Sequence, residues 1–446
     1  MILRTLLAGQ PVPGSLEKSI VHPYTGAAPD ALEYARDIPI SPFIDIGTRN
    51  FRQDLYTTAH LISQYLEKNK SAITVVAAHE TGSPIHYQEE DLENARTFLE
   101  KFSYLETLQQ HKHLLFDPKG NILLILPANE PILTAVVLIF SALFTGNIVF
   151  VKPSSKAPTF ASMLIKELST ISLLRERIHF LVIDGPECER LVRNRAFDFV
   201  LSLGSRSTNK TLGITCAEAE VEFLYESEGN DWAYIDNFIS QQQISRLIVD
   251  SFTKHNGQMC NALRGLIVHS SIYNPLVDLL KECIVQLPVD SPILPITRIG
   301  ALIAGTETHA STLVREAASH SKEVWNFTVN KNVITPTLIF DPNIASRICH
   351  ESVFAPVLWI KKVGDHSEAI SLFKEVNVHG LSFSVFSKNE EVVADCIRSV
   401  KVGRINVNKH PLEIGLFEPM GGIGLSGRGG PMLWIEKMSN TKFVNN

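Results

Sequence analysis

The chain is poor in several things at once. Its six cysteines (Cys188, Cys216, Cys260, Cys283, Cys349 and Cys396) are scattered over 446 residues, with no CxxC pair and no metal-ligand spacing. That excludes a disulfide scaffold and a cysteine-built metal centre, and it points to free thiols in a reducing compartment. No metal is expected. Long blocks of one charge sign are missing too, and the net charge is −6. Neither nucleic acid nor an anionic membrane surface is an expected partner for such a chain. The apolar stretch around 122–144 is interrupted by "PANEP", so neither side reaches the ~20 apolar residues of a spanning helix. The opening "MILRTLLAGQPVPG" has one Arg and a short apolar run broken by Gly and Pro, a poor secretion signal. A soluble, cytoplasmic protein is the expectation. Fixed-period repeats and low-complexity segments are absent as well.

What is present is ordinary globular material. Hydrophobic residues make up 45% and charged residues 20%, enough apolar content for sizeable cores. The length suggests two or three domains. Residues 1–30 are rich in turn formers and read as irregular. Residues 50–110 read as long amphipathic helices. From "GNILLILPAN" onward, short apolar strands alternate with helices: "NIVFVKPS", "IHFLVID" and "FDFVLSLGS" follow in turn. That alternation predicts a parallel, doubly wound sheet. After residue 240 it continues more weakly, with helices at 240–255 and 272–286 and strands near "RGLIVH", "TPTLIF", "VLWIKKV" and "SFSVFS". The stretch "YESEGND" (225–231) reads as the junction between the two units.

Two stretches invite a chemical reading. "PMGGIGLSGRGG" (Pro419–Gly430) contains GxGxxG, the text of a dinucleotide-binding turn. That motif also needs a strand before it, a helix after it and an acid ~20 residues on. Only 19 residues follow Gly427, with no acid at that offset. The match is false, and the segment reads as a close-packed turn. The second stretch is "KHNGQMCNALRG" (Lys254–Gly265). A cysteine thiolate is a strong nucleophile near neutral pH. Taken alone, though, Cys260 reads as a small buried hydrophobe, like most free cysteines.

"GQMCNA" before an apolar strand resembles the nucleophile motif of the aldehyde dehydrogenase superfamily. Further stretches follow in that family's order: "LPANEP", "FVKPSSKAP", "LGS", "YESEGND", "TPTLIF", "ESVFAPVL", "LSFSVFS", "GRINVN" and the glycine segment. The resemblance covers about residues 120–430. It implies a Rossmann-type parallel-sheet cofactor domain (1–226, with an oligomerisation hairpin near 104–118). An α/β catalytic domain (227–415) and a C-terminal return and oligomerisation strand (416–446) would follow. It implies NAD(P)-dependent oxidation of a small-molecule aldehyde to an acid, and a homodimer or homotetramer.

Residue by residue, the resemblance makes Cys260 the nucleophile and Asn129 an oxyanion donor beside the Cys260 backbone N–H. Glu226 becomes the base that activates the hydrolytic water, although Glu222 and Glu228 stand near enough to be confused with it. Hydride would pass to the nicotinamide and leave a thioester. For the cofactor it implies Lys152, Ser154, Ser155, Gly204, Ser205, Glu351 and Phe354. Ser155 replaces an acid that would repel a 2′-phosphate, a lean toward NADP or dual use. Several positions depart from the pattern. Glu228 takes the place of the first Gly of Glu-x-Gly-Gly, and Ser352 that of the ribose-binding Glu. Ala355 replaces a Gly, Asn209 replaces a Gly, and Glu130 replaces an aromatic. Glu130 near the mouth points to a non-apolar or cationic substrate. Two rival readings remain open: a CoA-acylating or thioester-reducing dehydrogenase, and a catalytically retired binding protein on the same scaffold.

Overall fold

Strands whose every residue is buried build the centres of two seven-stranded sheets. A computed structural model describes residues 1–42, 51–109, 114–236 and 240–444. In the first sheet the order is Glu222–Glu226, Phe199–Leu203, Asn121–Ile125, Ile148–Lys152, Ile178–Phe180, Leu6–Leu7 and Gln10–Pro11. Its first five strands run parallel, and the last two are antiparallel additions. The second sheet runs Glu323–Trp325, Thr337–Phe340, Val357–Val363, Leu263–His269, Asp231–Ile235, Ser382–Phe386 and Arg404–Val407. All its pairings are parallel except that of the first strand. Asn121–Ile125, Phe199–Leu203, Asp231–Ile235 and Ser382–Phe386 are buried at every position. Full burial is why the first two read as nearly continuous apolar runs, while the other two keep Asp231, Ser382 and Ser384 as buried polar groups.

The expected helices form over Phe51–Lys68, Lys70–Thr81 and Ile85–Glu100. Helix Pro131–Phe144 is buried on almost every side, with Pro131 in its first turn where a missing N–H costs nothing. Helix Arg206–Glu218 starts on Ser205, whose Oγ accepts from the Thr208 N–H at 3.3 Å. Among the described residues no helix is long and apolar enough to cross a membrane.

The segment "YESEGND" lies where the chain leaves the edge strand of the first sheet, Glu222–Glu226, and enters the second at Asp231. Two expectations need correction. Residues 1–30 are not irregular. They supply strands Ile2–Arg4 and Ser15–Ile20, which flank Asp30–Tyr34 in a small sheet, and two short strands that extend the first large one. Nor does a hairpin fill 104–118. Phe102–Gln109 is a 3₁₀ helix, and residues 110–113 lie outside the described residues. Leu114–Pro118 pairs antiparallel with the chain's own Ser439–Phe443; the expected C-terminal element ends in residues 445–446, also outside the described part.

The glycine segment is the close-packed turn expected of it. The Arg428 N–H donates to the Tyr225 carbonyl at 3.0 Å, and the Ser227 N–H donates to the Ser426 carbonyl at 2.8 Å. A Cβ at Gly429 would overlap the carboxylate of Glu226. Any side chain there would have to push that carboxylate aside.

Candidate active site

Cys260 sits on an irregular stretch between helix Gln241–Thr253 and strand Leu263–His269. His255 and Asn256 both adopt left-handed backbone, φ 50° and 58°, a conformation that costs energy for non-glycine residues and must be held by its surroundings. The Asn256 amide supplies much of that hold. Its Nδ2 donates to the carbonyls of Gly82 (3.0 Å) and Ala301 (2.7 Å), and its Oδ1 accepts from the Gly300 N–H (2.8 Å). On the other flank, buried Arg264 donates to the carbonyls of Met259 (3.1 Å) and Ala355 (3.0 Å). The Gly229 N–H donates to the Cys260 carbonyl at 2.9 Å, and a Cβ at 229 would come within 2.7 Å of that oxygen. The second glycine of the Glu-x-Gly-Gly pattern is therefore needed for close approach, while Glu228 is tolerated at the first.

Glu226 ends its strand with its carboxylate beside the thiol. The Cys260 Sγ lies 3.8 Å from Glu226 Oε1. The other oxygen, Oε2, is buried with no hydrogen-bond partner. Burial first, and then the charge of Glu130, pushes the Glu226 pKa up to about 7. Burial likewise lifts the Cys260 thiol well above its ordinary range, and Glu226 and Glu130 add to the effect. The resting pair is thus a protonated thiol facing a carboxylate that titrates near neutrality.

Both residues line a cavity of about 1370 Å³, large enough for more than one small ligand. Asn129 lines it too, two residues before helix Pro131–Phe144. Among the described residues its amide has no hydrogen-bond partner. Glu130 follows it, also on the cavity wall, its pKa raised to about 7 by burial and then by Asp91.

Further along the same cavity lie Lys152, Ser154 and Ser155, after the carboxyl end of strand Ile148–Lys152. Gly204 and Ser205 lie at the start of helix Arg206–Glu218, and Phe354 lines the same cavity. The carboxyl ends of parallel strands and a helix N-terminus are where a doubly wound sheet takes a dinucleotide. Burial lowers the Lys152 pKa, and no ion pair or hydrogen bond to its ammonium is found among the described residues. Nothing lies nearer than 3.9 Å to a Cβ built on Gly204. A half-buried lysine without a hydrogen-bond or ion-pair partner among the described residues, and open space before a helix start, fit a cofactor's ribose and phosphate. One group competes for this place: Glu228 Oε2 accepts from the Arg206 N–H at 3.0 Å.

Glu351 is the expected residue that the structure does not bring to the cavity. Its carboxylate is taken by Arg347, 2.7 and 3.1 Å away, and the neighbouring Ser352 faces the cavity instead. Sequence reasoning missed Lys18, whose Nζ donates to Ser155 Oγ at 3.0 Å. It also missed Asp91 and His255, which stand beside Glu130. His255 lies inside the nucleophile segment itself. Asp91 and Lys18 carry no local signal, since only the fold brings them close.

Residues 56–444 match the Aldehyde dehydrogenase family. The chain belongs to that family. Among curated relatives, 3-sulfolactaldehyde dehydrogenase of Priestia aryabhattai is 26% identical over 332 residues, 73% of this chain and 69% of that protein. The 1-pyrroline-5-carboxylate dehydrogenase of Bacillus pumilus is 23% identical over 393 residues, 82% of this chain and 76% of the relative. Aldehyde dehydrogenase 21 from Physcomitrella patens, solved with the reaction product succinate, superposes with a TM-score of 0.91 at 20% identity. The match covers 99% of this chain and 98% of that one. At that identity the likeness establishes the fold. The expected α/β architecture and the expected nicotinamide-dependent, aldehyde-oxidising family both hold.

Proposed function

We propose that this aldehyde dehydrogenase family member oxidises an aldehyde to a carboxylic acid through a covalent intermediate on Cys260. The observation that carries this reading is the 3.8 Å approach of the Cys260 thiol to the Glu226 carboxylate. Cys260 attacks the aldehyde carbon as its proton passes to Glu226. The oxygen of the resulting thiohemiacetal is assigned to the Asn129 amide and the Cys260 backbone N–H, donors that would meet the charge as it develops. NAD or NADP, when bound, supplies the hydride acceptor. Glu226 first releases the thiol's proton to solvent; as a carboxylate again it takes a proton from the water that attacks the thioester, and the carboxylic acid leaves as the Cys260 sulfur takes that proton back. A carboxylate titrating near 7 suits both steps, because it can accept and release a proton at working pH. Its presence beside the thiol favours hydrolysis over acyl transfer to CoA.

Lys152, Ser154, Ser155, Gly204, Ser205 and Phe354 are the groups proposed to hold the cofactor. Lys18 and Lys156 flank Ser155, and the Lys18 charge lowers the Lys156 pKa after burial does. Two cations around a serine favour NADP, or use of both cofactors. The cofactor unit is assigned to 1–226, the catalytic unit to 227–415 and the return strand to 416–446. The ribbon of Leu114–Pro118 and Ser439–Phe443 exposes Leu115 (55%) and Phe443 (69%), as fits a homodimer or homotetramer. Light scattering that gave a single chain of 49.6 kDa would contradict assembly.

A panel of aldehydes with NAD and NADP tests the activity. Wild-type protein is expected to produce reduced nicotinamide, and Cys260→Ala to lose that production by about a thousandfold or more. Unchanged production in Cys260→Ala would remove the nucleophile from this account.

A further inference from the structure

Next to the thiol, the cavity wall is acidic in a way that hydrolysis does not explain. Asp91, on helix Ile85–Glu100, Glu130 and His255 each bring one polar atom into a group whose members all lie within 4.8 Å of one another. Asp91 is 3% exposed, and its Oδ2 has no hydrogen-bond partner. Its Oδ1 is 3.6 Å from His255 Nε2, while His255 Nδ1 is tied to Ser83 Oγ at 2.9 Å. Among the described residues no hydrogen bond reaches the Glu130 carboxylate, although Glu130 starts a helix.

The charges in this group do not balance. Burial works against a proton on His255, yet Asp91 and then Glu130 lift its pKa above the ordinary value. A protonated His255 offsets one of the two carboxylates and leaves the other. Lys254, on the same wall, acts on Glu130 but is already engaged. Lys254 is bound to Glu90 at 2.6 Å, and His410 to Asp250 at 2.9 Å. Lys152 and Lys156 line the cofactor end, and no arginine lines the cavity among the described residues. A buried carboxylate without a partner either takes up a proton or is paired by a cation; Asp91 Oδ2 and the Glu130 carboxylate stand on the cavity wall without a hydrogen bond among the described residues, so a positive charge brought from outside completes the group. Glu130 follows Asn129 directly and lines the same cavity as Cys260 and Glu226, and its charge acts on both. A cation held there and an aldehyde at Cys260 share one cavity.

We propose that the substrate is an aldehyde carrying a cationic nitrogen, held by Glu130 and Asp91 beside His255 while Cys260 attacks its carbonyl. This inference rests on Cys260 being the nucleophile. An aldehyde bearing a carboxylate or sulfonate finds no free cation at this end and meets two acids.

The test compares three aldehydes on the full chain with saturating cofactor: 3-aminopropanal, butanal (the same number of heavy atoms, uncharged) and 4-oxobutanoate. The kcat/KM for 3-aminopropanal is expected to exceed that for butanal by about 10- to 100-fold, the worth of a charged hydrogen bond. 4-Oxobutanoate is expected to be the poorest of the three. Glu130→Gln and Asp91→Asn should each cut the ratio of 3-aminopropanal to butanal, mainly through KM. Equal use of 3-aminopropanal and butanal by the wild type would overturn the inference, as would a preference for 4-oxobutanoate. A preference abolished by EDTA would assign the group to a metal ion and overturn it too. Oxidation of none of the three would overturn the nucleophile reading, and this inference with it. Butanal oxidised as well as 3-aminopropanal overturns this inference alone.

Discussion

The two ends of the cavity are built to different standards. Around Cys260 everything is fixed from several sides: Asn256 and Arg264 hold the flanks, Gly229 meets the Cys260 carbonyl, and the glycine segment closes on Glu226. At the cofactor end the wall is looser. Lys152 has no partner among the described residues, Gly204 faces open space, Glu351 is turned into an ion pair with Arg347, and Glu228 sits on the start of the helix. Departures from the family pattern occur at both ends: Ser155 and Glu228 at the looser one, Glu130 and Ala355 around Cys260. Chemistry requires reacting atoms at fixed separations, and small displacements there are expensive. A dinucleotide makes many contacts, so the loss or exchange of one shifts affinity without ending function.

The largest way to break that contrast is at Glu226. Glu226→Gln is expected to lower kcat by about 10²- to 10⁴-fold, with cofactor affinity kept. The sign of the pH effect follows from the raised pKa. The base form is present above about 7, so wild-type activity falls as pH drops through that value. A Gln variant lacks this limb, and a pH profile of kcat/KM reads the difference. A variant retaining the limb would assign it to another group.

Next in size is Gly429→Ala. The added methyl group overlaps the Glu226 carboxylate and must displace it. A loss of about 10- to 100-fold in kcat is expected, with NADPH binding by fluorescence titration little changed. If the loss fell on NADPH binding, the glycine segment would belong to the cofactor end after all.

The smallest effect belongs to the loose end. Ser155→Glu places an acid between Lys18 and Lys156. NADPH affinity should fall about tenfold or more relative to NADH, with the turnover step intact. Equal losses for both cofactors, measured by calorimetry, would contradict the lean toward NADP.

The same contrast describes what could be read from the sequence. Strands such as Asn121–Ile125 and Phe199–Leu203 are buried at every position, so their apolar runs are legible without neighbours. Strands Leu6–Leu7 and Gln10–Pro11 are two residues long and lie among turn formers. Only an edge to pair with makes them strands. The order of family motifs pointed to Cys260, Glu226 and Asn129, and the structure brings the three to one cavity. At Glu351 the same order misled. Its motif matched, but Arg347 one helical turn earlier captures the carboxylate. Asp91 and His255 are 164 positions apart in the chain, and Lys18 and Ser155 are 137. No local pattern encodes such contacts; the packing of separate elements does.

The account turns on Cys260 carrying the acyl group and Glu226 releasing it. The most direct measurement is intact and peptide mass spectrometry of Glu226→Gln protein quenched after reaction with aldehyde and cofactor. An acyl adduct on Cys260, accumulating in the variant and fleeting in the wild type, is the expected result. An adduct on another cysteine, or none in a variant that still turns over, would contradict it.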